Sequence, residues 1–459
     1  MSQASPRNLA TVQSQSSSPS SIDFQTLAPL VEGLKSPEGL ALVGCAALML
    51  FAGALDKKGG HKGKLAKGRL GNQKEKTAAR RIALQQIEAN KHNEAALYLG
   101  RPSQSSAQVP LFLPDAQRGI AVVGGPGSGK TDSAILPAIY SAVDQDKPCV
   151  IWDFKYPTLT KRFVGYAAKR GYDVSIFAPG YRESEVCNPL DFLDPEDPSL
   201  MAGQFAVTLN RNFQKAGQQA SEDAFFGVAG DQMVQAMLML AKETQYDDIM
   251  MCQAILSLTD LPKRLMANRD SINPWVYSNF GTMLASASSE KTVAGIVATA
   301  NKLFTTFMKP KLLSAFCGQT TIPLELKGKK ILVLGLDREK RDVLAPLVAA
   351  VLDLIISRNV VRERTDPLFL FLDEVPTLYL PRLVNWLNEC REDGLCTVLG
   401  FQNIVQLEEI YGKGWARAIL GACATKILFN PQDAESAEFF SKYFDEEEIH
   451  FKQRSRSSG

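Results

Sequence analysis

Six short apolar runs occur between residue 106 and the carboxyl end of the chain, and each is bounded by turn residues. They lack the alternation of apolar and polar positions that marks a half-buried strand. Continuous Val, Ile, Leu and Phe residues are typical of strands buried on both faces of a parallel sheet. Helical stretches separate the runs, as a doubly wound α/β sheet requires. The runs are GIAVVG (119–124), PCVIWD (148–153), DVSIF (173–177), KILVLGL (330–336), PLFLFLDE (367–374) and CTVLGF (396–401).

A long block in the middle of the chain has a different pattern. Between residues 190 and 325 no strand-like run occurs, and amphipathic stretches such as AGDQMVQAMLMLAKETQ predominate. Apolar residues at helical spacing predict helices that bury one face. The pattern therefore predicts an all-α domain, 190–325, inserted into an α/β domain that is formed by residues 106–189 and 326–459.

The amino-terminal part of the chain carries a candidate membrane span. Residues 1–35 begin with a Ser- and Gln-rich stretch that has few large apolar side chains, which predicts a disordered leader. The 17 residues from Gly39 to Leu55 carry no charge, and as a helix they span about 25 Å of a bilayer core of ~30 Å. We predict a transmembrane helix over 36–56. The alternatives are a buried helix of a soluble protein and a signal peptide, although the long leader has too little positive charge for the latter.

The stretch that follows this run is strongly basic. Ten Lys or Arg residues and two acidic residues lie between Asp56 and Arg81, a local charge of +8. A basic cluster directly after a span keeps that side cytoplasmic and suits anionic headgroups. We interpret 57–105 as a basic juxtamembrane segment, with the amino terminus outside and the bulk of the chain in the cytosol. A solvated linker is the simpler alternative.

The overall composition excludes several classes of protein. The 459 residues are 45% hydrophobic and 22% charged, as in an average soluble protein, which excludes a wholly disordered or many-span chain. The net charge of +2 excludes a uniformly basic nucleic-acid coat but allows a local basic site. The eight cysteines form no CxxC pair, and with three histidines they show no zinc-site spacing.

The strongest chemical signal is the stretch GGPGSGKT, which satisfies the pattern G-x-x-x-x-G-K-T. It follows a predicted strand and precedes a predicted helix, the context that supports a phosphate-binding loop. Glycines allow backbone N–H groups to surround the β- and γ-phosphates of ATP. The lysine adds a positive charge there, and the threonine hydroxyl is a ligand for Mg²⁺. The predicted nucleotide-binding residues are Gly124, Gly125, Pro126, Gly127, Ser128, Gly129, Lys130 and Thr131.

A second signal is the pair of acids in LFLFLDEV, at the end of a predicted strand. Asp373 can hold Mg²⁺ as a Walker-B carboxylate does, and Glu374 can act as a general base that polarises the attacking water. The pair alone is a weak signal, but together with a phosphate-binding loop 242 residues upstream it is strong. The absence of LSGGQ-like and NKxD stretches disfavours a transporter ATPase of the ABC class and a GTPase.

Two further strand ends carry polar residues. Gln402 follows CTVLGF, where it can sense the γ-phosphate or orient water; a surface glutamine is the default alternative. Asp153 and Lys155 end the second strand at the edge where α/β proteins bind ligands, so we predict that they contact the nucleotide. A salt bridge within the loop is the competing interpretation.

These motifs, in this order and spacing, resemble the type IV secretion coupling proteins, which are conjugative DNA-transfer ATPases of the FtsK–HerA group. The stretches that carry the resemblance span residues 110–450: GGPGSGKT followed by Ile-Leu-Pro, DFKYP, NPLD, LDEVP, FQNIVQLEEIYG and GACATKILFN. DFKYP departs from the family pattern D-P-K-G-E because it keeps only Asp153 and Lys155. A second departure is that the chain ends at 459, where family members usually continue with a further strand. We therefore expect either a shortened chain or a sheet without its last strand.

The resemblance implies a RecA-like P-loop NTPase sheet that binds ATP and Mg²⁺. It also implies a homo-hexamer in the bacterial inner membrane, in which Arg391 of one subunit completes the ATP site of the next. The expected partners are single-stranded DNA with its relaxase and the subunits of a type IV secretion channel. Three alternatives stay open: coupling of effector proteins, an FtsK-like translocase of double-stranded DNA, and a nucleotide-binding scaffold without useful turnover.

Overall fold

The computed structural model describes residues 71–101, 110–194, 196–215, 224–360 and 362–442. The predicted leader and transmembrane helix, 1–35 and 36–56, lie outside these ranges. Among the described residues one helix, Arg338–Val360, is long and apolar enough to cross a membrane. Because 89% of its most apolar window is buried inside the protein, we interpret it as a core helix.

Seven parallel strands form the central sheet of the described chain, and two short antiparallel strands form a second sheet. The strands are β1 Leu97–Leu99, β2 Leu111–Leu113, β3 Ile120–Val123, β4 Cys149–Asp153, β5 Asp173–Phe177, β6 Lys330–Gly335, β7 Leu368–Leu372, β8 Leu395–Phe401 and β9 Thr425–Leu428. In the large sheet the order is β5-β6-β4-β7-β8-β3-β9.

The six predicted strands coincide with β3 to β8 to within two residues, which confirms the parallel α/β sheet. Every residue of β3, β4, β7 and β8 is buried, as expected for strands that helices cover on both faces. The seventh strand, β9, lies within the GACATKILFN stretch, whose apolar run is too short to predict a strand. It pairs with β3 at the edge of the sheet, where its four residues are only partly buried.

Helices cover the sheet and fill the long connection between β5 and β6. In that connection the described residues contain eight α-helices, two short 3₁₀ helices and no strand. The exact limits predicted for an inserted domain, 190 and 325, stay a prediction. The α-helices are α1 Gln73–Ala89, α2 Leu136–Asp144, α3 Thr160–Lys169, α4 Pro198–Lys215, α5 Ala224–Lys242, α6 Ile249–Leu256, α7 Leu261–Ala267, α8 Pro274–Asn279, α9 Gly281–Ala285, α10 Glu290–Phe307, α11 Pro310–Phe316, α12 Arg341–Val360, α13 Leu383–Asn388, α14 Ile404–Tyr411, α15 Lys413–Ala422 and α16 Ala434–Ser441.

Part of the stretch that the charge pattern assigns to a basic segment is regular structure. Asn72 and Glu75 form a capping box at the start of α1. The Asn72 side chain accepts a hydrogen bond from the Glu75 backbone amide, and the Glu75 carboxylate accepts one from the Asn72 backbone amide. Near the other end of α1, Gln86 exchanges two hydrogen bonds with Asp115, which connects the helix to the turn before β3. Residues 71–101 therefore pack against the α/β part of the chain, a feature that the charge pattern did not indicate.

Candidate nucleotide-binding site

The functional residues predicted from the sequence meet at the carboxyl edge of the central sheet. The phosphate-binding loop follows β3, the acidic pair follows β7 and Gln402 follows β8, and these strands are neighbours or separated by one strand. Two backbone hydrogen bonds hold the loop at this edge: Gly124 donates to the carbonyl of Phe401 at 3.2 Å, and Gly125 donates to that of Asn430 at 2.9 Å. The parallel topology thus brings together segments that lie up to 306 residues apart.

Two glycines give the phosphate-binding loop its inward curvature. Gly127 and Gly129 have φ angles of +73° and +87°, a region that residues with a side chain rarely adopt. The amides of both donate no hydrogen bond to another described residue, so they are available to phosphate oxygens. A single turn of π-helix, Thr131–Ile135, then leads into α2.

Two side-chain contacts join the loop to the acidic pair. The Thr131 hydroxyl donates to Asp373 Oδ1 at 3.0 Å, and Lys130 Nζ lies 3.3 Å from Glu374 Oε2. Gln402 Nε2 donates to the same Glu374 oxygen, also at 3.3 Å. Lys130 and Glu374 are only 8% and 4% exposed, so this ion pair forms in a largely desolvated place where charge interactions are strong.

These residues line a cavity of about 310 Å³ whose chemistry fits a triphosphate with a divalent cation. The Thr131 hydroxyl and the Asp373 carboxylate supply the oxygen ligands that Mg²⁺ prefers. Two buried polar atoms, Ser128 Oγ and Glu374 Oε1, have no hydrogen-bond partner among the described residues. Because buried polar groups are normally satisfied, these atoms indicate that the cavity is built for a polar occupant.

The protonation of Asp373 reflects opposing effects. Burial raises the pKa of this carboxyl, while the Lys130 charge and the Thr131 hydrogen bond lower it and the neighbouring Glu374 raises it. The net shift is upward, because removing a carboxylate from water disfavours its charged form. A cation that binds at this place would compensate that cost.

Asp153 and Lys155 line the cavity, but the Asp153 carboxylate already has local partners. Its Oδ2 accepts hydrogen bonds from the amides of Leu159 and Thr160 and from the Thr160 hydroxyl, at 2.9–3.0 Å. Its Oδ1 accepts from the Lys155 amide at 3.2 Å, and burial raises its pKa. Asp153 therefore holds the turn after β4 against the start of α3. Contact of either residue with a nucleotide stays a prediction.

Arg391 lies away from this cavity within the same chain. It is half-exposed in the turn that precedes β8, at the amino edge of the sheet, and its nearest acidic group is Glu392 at 4.0 Å. The cavity lies at the opposite, carboxyl edge. Arg391 could therefore contribute only to the nucleotide site of a different subunit, and that role stays a prediction.

The structure adds residues that the motifs did not reveal. Arg162, in the first turn of α3, forms an ion pair with Asp132, and both side chains line the cavity. Gln432, after β9, donates to the carbonyl of Pro126 at 3.1 Å and covers one side of the loop. Arg162 lies in the first turn of the helix that follows β4, so its place near the ligand-binding edge could have been inferred from the α/β pattern, but no local signal identifies Gln432. The remaining newly found lining residues are Phe154, Thr158 and Leu159.

Gly400 explains how β8 approaches the acidic pair so closely. A Cβ atom at this position would lie 2.3 Å from the Asp373 carbonyl oxygen and 2.8 Å from Ile135 Cδ1. Such contacts force the backbone of one strand end to move. A glycine inside a strand is a known sign of close backbone approach, so the sequence pattern alone is compatible with this contact.

Gly400→Ala should lower the free energy of unfolding by about 1–3 kcal/mol because of this overpacking, and it should weaken nucleotide binding as Asp373 is displaced. The measurement is denaturant unfolding together with nucleotide titration. Gly414→Ala on α15 is the matched control, since a Cβ atom there meets nothing within 4 Å. Equal stability of the two variants would contradict the close packing of β8 on Asp373.

Most of the chain matches a known family. Residues 103–459 match the family described as the type IV secretion-system coupling protein DNA-binding domain. The chain belongs to the type IV secretion-system coupling proteins. The match covers more than half of the chain and includes every residue of the site described above, which confirms the resemblance inferred from the motifs.

Individual relatives agree with this assignment. Coupling protein TraD of Escherichia coli (strain K12) is 38% identical over 87 residues, which are 19% of this chain but only 12% of TraD. The plasmid coupling protein TrwB in complex with ADP and Mg²⁺ superimposes with a TM-score of 0.55 at 17% identity, over 79% of this chain and 78% of that one. TrwB in complex with the ATP analogue ADPNP gives 0.54 at 17% identity, over 80% and 79%. At this identity the TrwB structures establish a shared fold.

Proposed function

We propose that this coupling protein is a membrane-anchored, ATP-hydrolysing motor that moves DNA, as a nucleoprotein complex, toward a type IV secretion channel. The observation that carries the proposal is the meeting of Lys130 and Thr131 with Glu374 and Asp373 in one buried cavity. Membership of the coupling-protein family supports DNA as the cargo and a type IV secretion channel as its destination. The ADP, Mg²⁺ and ADPNP bound by TrwB support ATP and Mg²⁺ as the ligands here.

Five of the residues that line the cavity have distinct tasks in hydrolysis. The amides of Gly127 and Gly129 and the positive end of the helix that follows them bind the phosphates. Lys130 neutralises charge on the β- and γ-phosphates as it develops. Glu374 accepts a proton from the attacking water through a carboxylate oxygen, and Gln402, hydrogen-bonded to Glu374, orients that water.

Lys130 also influences the general base, because its ammonium group pairs with the Glu374 carboxylate. A γ-phosphate competes with Glu374 for the Lys130 ammonium, and when it wins, the Glu374 carboxylate loses its cationic partner. The carboxylate is then a stronger hydrogen-bond acceptor for water. Mg²⁺, held by Thr131 and Asp373, would supply charge neutralisation at the phosphates.

The assembly and the membrane anchor complete the proposal. The apolar run of 36–56 and the basic stretch after it support a single-pass anchor in the bacterial inner membrane, with the bulk of the chain cytoplasmic. The family resemblance supports a homo-hexamer in which Arg391 reaches the site of a neighbouring subunit. The position of Arg391 at the sheet edge opposite its own cavity is compatible with that role.

Hydrolysis measured with and without DNA tests the cargo. The full chain, solubilised in detergent and verified as a hexamer, should hydrolyse ATP faster with single-stranded DNA, and the stimulation should fall steeply as salt rises, since phosphate contacts release counterions. An assembled hexamer that single-stranded DNA does not stimulate would count against DNA and favour effector proteins. Stronger stimulation by double-stranded DNA would favour the FtsK-like alternative.

A further inference from the structure

The loop that follows the acidic pair leaves the nucleotide cavity and runs toward the helices that connect β5 and β6. This loop, Val375–Arg382, begins directly after Glu374. The Thr377 hydroxyl donates to the Glu374 carbonyl at 2.5 Å and accepts from the Trp152 indole of β4 at 2.9 Å. The backbone of Glu374 is therefore fixed by the first turn of the loop.

Asn212 of α4 holds the middle of the loop with two hydrogen bonds. Its Nδ2 donates to the Tyr379 carbonyl at 2.6 Å, and its Oδ1 accepts from the Tyr379 amide at 3.0 Å. Asn212 is buried, and Nδ2 also donates to the Thr208 carbonyl one turn earlier on the same helix. A side chain that bonds both the amide and the carbonyl of one partly buried residue is costly to replace, because its removal takes a hydrogen-bond partner from each of the two groups.

The end of the loop has a second connection to the same helix. Arg382 forms a bidentate ion pair with Asp353 of α12, at 3.1 Å for both contacts, and Asp353 also accepts from the Thr208 hydroxyl of α4 at 3.2 Å. Asp353 is 1% exposed. Helix α4, helix α12 and the loop are thus joined around one buried carboxylate, and Thr208 and Asn212 lie one helical turn apart.

We propose that Asn212 is a positioning residue for Glu374, and that the Val375–Arg382 loop transmits the state of the nucleotide site to helix α4. The inference deepens the proposed function and rests on it for the hydrolytic step. A shift of the Glu374 backbone, when the pairing of its side chain with Lys130 changes, is passed through the Thr377 hydrogen bond to the loop and so to the Tyr379 backbone, which Asn212 holds. Helix α4 then moves with the loop, because packed elements shift as units.

Asn212→Ala tests the positioning role, with Asn210→Ala as the matched control. Asn210 is also buried on α4, but its side chain bonds Asp231 of α5 and does not contact the loop. In the full-length protein, Asn212→Ala should reduce kcat about tenfold or more, because small misplacement of a reacting group is costly. KM for ATP and the hydrolysis by Asn210→Ala should stay near the wild-type values. Equal kcat for the two variants would overturn the role of Asn212.

Hydrogen exchange on the wild-type protein tests the transmission without a substitution. Addition of ADPNP with Mg²⁺ should change amide exchange in Val375–Arg382 and in the Thr208–Asn212 turn of α4 together. A change in the loop with no change in α4 would overturn the inference, even if Asn212→Ala fails to fold. Absence of ATP hydrolysis in the wild type would instead refute the proposed function, since the exchange experiment needs binding and no turnover.

Discussion

Glu374→Gln should reduce ATP turnover by about a hundredfold to ten-thousandfold, the usual contribution of a general base, while nucleotide still binds. Glutamine has the shape of the glutamate, so the contacts of its side chain with Gln402 and the cavity wall can form again. It cannot accept a proton from water, however, and it removes the ionic partner of Lys130. The nucleotide then no longer competes with a carboxylate for the Lys130 ammonium, so its affinity should stay equal or rise.

Steady-state phosphate release and equilibrium binding of ATP, measured on the full-length variant, separate these two effects. Glu409→Gln, an exposed glutamate on α14, is the matched control and should leave both quantities unchanged. Turnover by Glu374→Gln at the wild-type rate would contradict the assignment of Glu374 as the base. Full DNA transfer by Lys130→Ala and Glu374→Gln variants that no longer hydrolyse ATP would instead favour the scaffold alternative.

Lys130→Ala should weaken ATP binding about tenfold to a hundredfold, the equivalent of one charged hydrogen bond. It should also destabilise the protein without ligand, by about 3–5 kcal/mol, because the substitution leaves the buried Glu374 carboxylate without its ionic partner. The double variant Lys130→Ala/Glu374→Gln removes both charges and should recover most of the lost stability. Lys161→Ala, an exposed lysine on α3, is expected to leave binding and stability unchanged.

Denaturant unfolding of the single and double variants in mild detergent measures this coupling. If the stability losses of Lys130→Ala and Glu374→Gln simply add in the double variant, the two side chains do not interact. That result would remove the proposed competition between the γ-phosphate and Glu374. Additive losses together with intact nucleotide binding would mean that Lys130 has no direct contact with phosphate.

The features that are encoded locally could be predicted from the sequence. The strands β3 to β8 are continuous apolar runs, and the phosphate-binding loop needs glycines at fixed spacing, so both leave a direct trace. The sequence signal for β9 is weaker, because an edge strand of four partly buried residues needs few apolar side chains. Helix α1 was hidden by its own charge, since its exposed basic side chains resemble those of a linker.

The features that depend on tertiary contacts could not be predicted. Asp153 ends a strand at the ligand-binding edge, as the pattern indicated, yet its oxygens serve the turn before α3. The side chains of Asn212 and Asp353 lie on helices whose partners are determined by how the helical block packs on the sheet. Their sequence surroundings are those of ordinary polar residues, and only the fold brings them to the loop after Glu374.

The structure of the Glu374→Gln variant with ATP and Mg²⁺, determined by crystallography or electron microscopy, is the sharpest test of the proposed nucleotide site. The triphosphate should lie inside the Gly124–Thr131 loop with its γ-phosphate at Lys130, and the cation should be bound by the Thr131 hydroxyl with Asp373 beside it. A triphosphate bound elsewhere, or a cation that contacts neither Thr131 nor the surroundings of Asp373, would contradict it.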